Sequence, residues 1–170
     1  MSVTPQEVGS YFLTLFGPIT IGIIVAAFTA NFALKRFHSE KWWEKKHKAY
    51  GDLVDILIEM QAIYIAASNH FERIYRAEQT LSEVPDYHFD WNRFRDLKKQ
   101  LRRSYILAPI SLSAATKGHL TSFFEVDADA DQMIWVENYP EQVAYSELAD
   151  EVEKLINLIV DDAKYELSFK

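Results

Sequence analysis

The first 34 residues and the rest of the chain follow different hydrophobic rhythms. Val8 to Leu34 is a run of 27 residues without a charge, VGSYFLTLFGPITIGIIVAAFTANFAL. A bilayer core about 30 Å thick needs about 20 helical residues at 1.5 Å each. The run therefore predicts a transmembrane helix over residues 11–35, with residues 1–10 as a short extracytoplasmic tail. Glu7 is the one charged side chain before it, and no Ala-x-Ala site ends it, which argues against a cleaved signal peptide. Gly17-Pro18 predicts a kink or a late start to the regular helix.

Beyond the run the pattern becomes a heptad. Trp43, Tyr50, Leu57, Tyr64 and Phe71 occupy one position, and Leu53, Met60, Ala67, Ile74 and Leu81 the other. This predicts a long amphipathic helix over 38–79, continuous with the span, and its aromatics suit a bundle better than a two-stranded coil. LSEVPDYHFD, 81–90, reads as a loop with Pro85 as breaker and Asp90 as N-cap. A second helix is expected from Trp91, with Trp91, Phe94, Leu97, Leu101 and Tyr105 on its apolar face and Pro109 kinking or ending it. A third segment, about 110–125, is rich in small residues, and 126–139, VDADADQMIWVENY, is expected to be a long loop. Pro140 opens a last amphipathic helix with Val143, Leu148, Val152, Leu155 and Ile159 as its core, ending near Leu167. The fold class expected is all-α: one N-terminal transmembrane helix followed by a cytoplasmic helical bundle, 36–170.

Charge supplies the orientation. No Lys or Arg precedes the span, whereas Lys35, Arg36, Lys41, Lys45, Lys46 and Lys48 follow it against Glu40 and Glu44. The excess of basic residues on cytoplasmic flanks places the N-terminus outside and the bundle in the cytoplasm. Lys35, Arg36, Trp42 and Trp43 would form a collar at the membrane interface, where indole rings are favoured. The net charge of −7 gives no bulk attraction to nucleic acid. Residues 104–170 hold four lysines against thirteen acidic residues. Without a cysteine there is no disulfide framework, thiolate metal site or cysteine nucleophile.

Inside the span, Gly22, Ala26, Ala30 and Ala33 share one helical stripe with Thr29 beside them, a small-residue surface of the kind that packs transmembrane helices together. Thr20 and Asn31 fall on the nearly opposite face, and polar groups at membrane depth seek partners or water. Homo-oligomerisation through the stripe would turn Thr20 and Asn31 toward a partly polar lumen.

Candidate chemistry is sparse. Asp127, Asp129 and Asp131 begin like a calcium loop, but Gln132 stands where Gly is needed and Asn138 where a bidentate Glu belongs. Glu40, Glu44 and His47 have the spacing of metal ligands, yet among lysines they read as a surface ion-pair lattice in which Glu44 pairs with Lys48. His70, His88 and His119 are isolated, and no nucleophile elbow, zinc motif or phosphate loop occurs. Neither metal nor cofactor nor catalysis is expected. The strongest feature of the bundle is a basic run in which Arg95, Lys98, Lys99 and Arg102 cluster on the polar side of one helix. They would bind an anionic ligand, such as a nucleotide, oligonucleotide or lipid headgroup, or would dock on Glu147, Asp150, Glu151 and Glu153 of the acidic last helix.

The span, the basic flank, KWWEKKHKAYGDLVDILIEM and LRRSYILAPISLS together resemble a pattern found in small single-pass bacterial inner-membrane proteins. Some proteins of this architecture resemble the membrane effectors of anti-phage defence, of which the Hailong-type channel effector is one. No functional residue is carried over from that resemblance. It implies a homo-oligomeric, ligand-gated channel or membrane-disrupting effector in the bacterial inner membrane, in contact with lipid. The alternative reading of the same pattern is a non-catalytic membrane anchor whose bundle recruits a cytosolic protein.

Overall fold

A computed structural model of the chain describes the backbone of residues 5–80, 90–137 and 139–168, and their side chains from Val25 onward apart from Glu78 and Thr80. Four helices make up these residues: α1 (Pro5–Thr80), α2 (Trp91–Ser111), α3 (Ala114–Glu137) and α4 (Glu141–Leu167). The chain divides into two compact units, Met1–Glu44 and Lys45–Lys170.

In the first unit every described side chain, from Val25 to Glu44, is exposed, Phe32 by 76%. The Thr29 hydroxyl donates to the Val25 carbonyl at 2.8 Å, so its polarity is satisfied within the helix. Arg36 pairs with Glu40 at 2.9 Å and Lys41 with Glu44 at 2.7 Å. The ion-pair lattice is present, but Glu44 takes the lysine three residues before it rather than Lys48. Among the described residues no helix is long and apolar enough to cross a membrane. The predicted span lies partly outside them: the side chains of Thr20 and Gly22 are not described, whereas Ala26, Thr29, Ala30, Asn31 and Ala33 are exposed on α1.

The second unit is an up-down-up-down bundle built on the heptad seam of α1. Tyr50, Leu53, Leu57, Met60, Tyr64 and Ala67 are buried, and Phe94, Leu97 and Leu101 of α2, Leu120 and Phe123 of α3, and Leu148, Val152, Leu155 and Ile159 of α4 are buried as well. Apart from Ala67, they belong to a single cluster. Polar ties fix the register at both ends. At one, the Tyr50 hydroxyl accepts from the Ser113 amide at 3.1 Å and Lys46 pairs with Glu166 at 2.5 Å. At the other, the Ser68 hydroxyl donates to the Gln142 carbonyl at 2.8 Å. The helix ends follow local chemistry: Asp90 caps α2 by accepting from the Arg93 amide at 2.8 Å, and the Ser113 hydroxyl caps α3 by accepting from the Thr116 amide at 2.9 Å.

Three expectations change. Residues 126–137 are helical rather than a loop, and α3 runs through them to Glu137. The stretch contains neither Gly nor Pro, and its alternating Asp and Ala residues leave the backbone free to continue the helix. Trp91 (41% exposed) and Val143 (38% exposed) do not join the core, since the burying stripes begin at Phe94 on α2 and at Ala144 on α4. Of the two roles expected for Pro109, ending α2 is excluded, because the helix continues through it to Ser111. The predicted loop at 81–89 lies outside the described residues, as does the heptad's Leu81.

Replacing Leu57, fully buried in the seam, by Ala is expected to cost roughly 2–5 kcal/mol. The same change at the neighbouring exposed Ile58 should cost about 0.5 kcal/mol or less. Chemical denaturation of the full chain followed by circular dichroism distinguishes the two. Similar losses at both positions would contradict a seam that buries Leu57 and leaves Ile58 in solvent.

Candidate functional site

The candidate site grows from the spacing of the basic run. Three- and four-residue intervals bring Arg95, Lys98, Lys99 and Arg102 out on one side of α2. The Phe123–Asp127 turn of α3 packs alongside, and between the two helices a cavity of about 250 Å³ opens. All four predicted cations line it, together with Phe123, Phe124 and Asp127, and Met60 of α1 contributes to its base.

The four cations are not equivalent. Lys98 is half-buried and fixed: its Nζ lies 2.8 Å from Asp127, 3.7 Å from Asp131 and 5.1 Å from the Phe94 ring centre. Lys99 makes an exposed pair with Asp96 at 3.1 Å, which contributes little in water. The Arg102 guanidinium stands over the Phe124 ring at 5.9 Å, leaving its N–H groups available at the edge. Arg95 forms no ion pair among the described residues. The pocket therefore has one lysine held in place and three cations presented to solvent, beside a face of two phenylalanines. It suits an anion with an apolar or aromatic portion.

Asp127 joins this pocket to the core. It accepts from the Tyr64 hydroxyl at 2.7 Å as well as from Lys98, so one carboxylate of α3 ties α1 to α2. Burial, and then the charge of Asp127, pushes the Tyr64 hydroxyl far above the ordinary tyrosine range. Tyr145, stacked on Tyr64 at 6.2 Å, is pushed up to about 12 by burial and by Glu141, Asp131 and Asp127. Sequence reasoning misses this tie. The available signal is a tyrosine at a heptad core position, because a buried phenol requires a hydrogen-bond partner.

At the other end of the bundle a second polar network resembles a nucleophile setting but works differently. The Ser113 and Thr116 hydroxyls both donate to the same oxygen of Asp162 at 2.8 Å. With the Thr116 proton so committed, the Tyr50 hydroxyl, 3.4 Å away, donates to Thr116. No histidine joins this network among the described residues, and the Ser113 and Thr116 hydroxyl protons both end on a carboxylate. It seals the junction of α1, α3 and α4. No buried side-chain polar atom among the described residues lacks a partner.

One further expectation changes. Within the chain, Lys98 of the basic face pairs with Asp127 and Asp131 of α3, and none of the four cations pairs with Glu147, Asp150, Glu151 or Glu153 of α4 among the described residues. Of those acids, Glu151 pairs with Lys154 at 2.6 Å and Glu153 accepts from Gln61 at 3.5 Å. Asp127, Asp129 and Asp131 lie on helix rather than in a loop, and no group of three metal-binding side chains is assembled among the described residues.

The raised tyrosines set an alkaline limit. A group whose folded pKa lies above its unfolded value stabilises the fold fully below the unfolded value of about 10 and loses that contribution as pH rises from there. The denaturation midpoint is thus expected to hold up to about pH 10 and then fall through pH 12, the Tyr145 value. Tyr64→Phe with Tyr145→Phe should flatten that fall, and midpoints measured across the range would show it.

Compared with protein-family models, with curated proteins and with solved structures, the chain finds no match.

Proposed function

We propose that the protein is a homo-oligomeric, single-pass membrane protein whose helical bundle senses a phosphorylated anionic ligand and gates a channel or membrane lesion. The observation that carries the sensing role is that Arg95, Lys98, Lys99 and Arg102 all line one cavity beside Phe123 and Phe124. Cations close to aromatic faces suit a ligand that joins phosphate charge to a planar ring, as a nucleotide or oligonucleotide does. The membrane role is supported by the 27-residue uncharged run and by the exposure of every described side chain from Val25 to Leu34, an apolar surface that water solvates poorly. The N-terminus is outside, the bundle cytoplasmic, and the Gly22, Ala26, Ala30 and Ala33 stripe packs the spans. In this reading the resemblance to anti-phage channel effectors marks the bacterial inner membrane as its place of action.

Ligand control needs two states that bind the ligand unequally. Lys98 provides the competition. An anion in the pocket competes with Asp127 and Asp131 for its ammonium group, and Asp127 is also the acceptor for Tyr64. Ligand binding therefore loosens the carboxylate that ties α1 to α2.

A second reading, a non-catalytic anchor that recruits a cytosolic protein, is favoured by one feature. Trp135 is 80% exposed near the end of α3, with Val136 exposed beside it, and exposed tryptophans are common anchors in protein interfaces.

Arg95→Gln, Lys99→Gln and Arg102→Gln together are expected to weaken binding of a fluorescent nucleotide by at least about tenfold, since charge-assisted hydrogen bonds contribute about 1.5–3 kcal/mol each. The denaturation midpoint should be unchanged, whereas Lys98→Gln should lower both. Unaltered nucleotide binding in the triple variant would remove the pocket from the mechanism. Ligand-dependent ion efflux from liposomes carrying the protein separates the channel from the anchor, and Gly22→Leu should abolish it by blocking close packing of the spans. Absence of efflux with and without ligand leaves the anchor reading.

A further inference from the structure

A second concavity, of about 550 Å³, lies between α1 and α2 and shares no lining residue with the basic pocket. Its apolar floor includes Ile56 and Leu97, its α1 wall carries Asp52 and Asp55, and its α2 wall carries Arg103. Arg93 of α2 forks onto Glu59 of α1 across the groove. Asp52, Asp55 and Arg103 form no ion pair among the described residues. Where α2 continues past Arg103, Ile106 and Ile110 stand 68% and 65% exposed.

An acidic wall and a basic wall flanking an apolar floor are complementary to their own copy. Rotation about a two-fold axis parallel to the helices sets α1 of one molecule opposite α2 of the other, with heights preserved. Because α1 and α2 are antiparallel, counting along both from the Glu59–Arg93 fork places Arg103 level with the Ala49–Asp52 turn. The partner copy would therefore bring its basic wall to Asp52 and Asp55 and its acidic wall to Arg103, each contact occurring twice. The exposed isoleucines extend the same face with apolar area, which the charges alone lack.

We propose that the α1–α2 groove is the surface through which the bundle pairs with a second copy of this chain, α1 against α2 about a two-fold parallel to the helices. The inference rests on the homo-oligomeric state proposed for the protein, but neither on the span nor on the ligand pocket.

The chain's lack of cysteine makes the test clean. Ser104→Cys, on the α2 wall, is expected to form a covalent dimer when the full chain in detergent is treated with a flexible bis-maleimide long enough to reach diagonally across the paired grooves, and Asn157→Cys, exposed on α4, is not. Asp52→Arg or Arg103→Asp, each added to Ser104→Cys, should slow dimer formation about tenfold through like-charge contacts. Combining both reversals in one chain should restore the rate to within about twofold, because each copy then again meets its complement. Cross-linking at Ser104 no faster than at Asn157 overturns the proposal. So does failure of the double reversal to restore it while each variant keeps its helical circular dichroism. Ala30→Cys separates this result from the wider reading. Cross-linking at Ala30 without Ser104 sinks the groove interface alone, and cross-linking at neither sinks self-association as well.

Discussion

Two buried phenols on one helix govern this bundle. Tyr50 and Tyr64 stand two heptads apart on the α1 seam, each nearly fully buried. A phenol can enter a core only if its hydroxyl finds a partner, and an unmatched one costs about 1–3 kcal/mol. Each of these finds its partners on α3 or at the turn leading into it: Thr116 and the Ser113 amide for Tyr50, Asp127 for Tyr64. The leucines and methionine between them would accept several registers, because apolar contacts are nondirectional. The two hydroxyls accept one. The pitch of α3 against α1 is therefore fixed by hydrogen bonds, while the burial that drives association comes from the aliphatic residues.

That division carries into the basic pocket. Lys98 is there partly for structure, neutralising a carboxylate that a core tyrosine requires. Arg95, Lys99 and Arg102 are anchored weakly by comparison, and they supply a positive field at the rim. In the proposed sensing role, a pocket in which one cation belongs to the fold and three to the solvent would join binding to stability at the Lys98 ammonium. The four cations make a basic patch on a chain whose net charge is −7.

Much of the bundle is legible from periodicity. The heptads of α1, the Asp90 cap, the Phe94, Leu97 and Leu101 stripe and the start of α4 after Pro140 all follow from spacing and local chemistry. The stretch 126–137 does not, because three aspartates in five residues look like a solvated loop unless their partners are known. Those partners, Lys98 and Tyr64, lie about 30 and 60 residues earlier, and no local pattern records that distance. The edges of the buried stripes are misplaced for a similar reason. Trp91 lies one turn before the first buried residue of α2, and Val143 lies beside the Ala144–Leu148–Val152 stripe of α4 rather than on it. The basic cluster itself is visible as four cations on one helix side. That it faces a cavity with phenylalanines on the far wall depends on how α3 packs against α2, which spacing along either helix does not encode.

Aromatic rings form a continuous train through the upper half of the bundle. Trp91 meets the edge of Phe94, Phe94 meets Tyr64, Tyr64 stacks on Tyr145, and Tyr145 stacks on Phe71, with centroid separations from 5.1 to 6.2 Å. Phe94 also lies beneath the Lys98 ammonium. The indole at the outer end of the train is thus one ring away from the cation that the pocket and the core share. Indole emission responds to shifts of nearby charge and to changes in solvent access. With Trp42, Trp43 and Trp135 replaced by Phe, Trp91 would be the chain's single indole, an intrinsic reporter one ring away from the Lys98 ammonium.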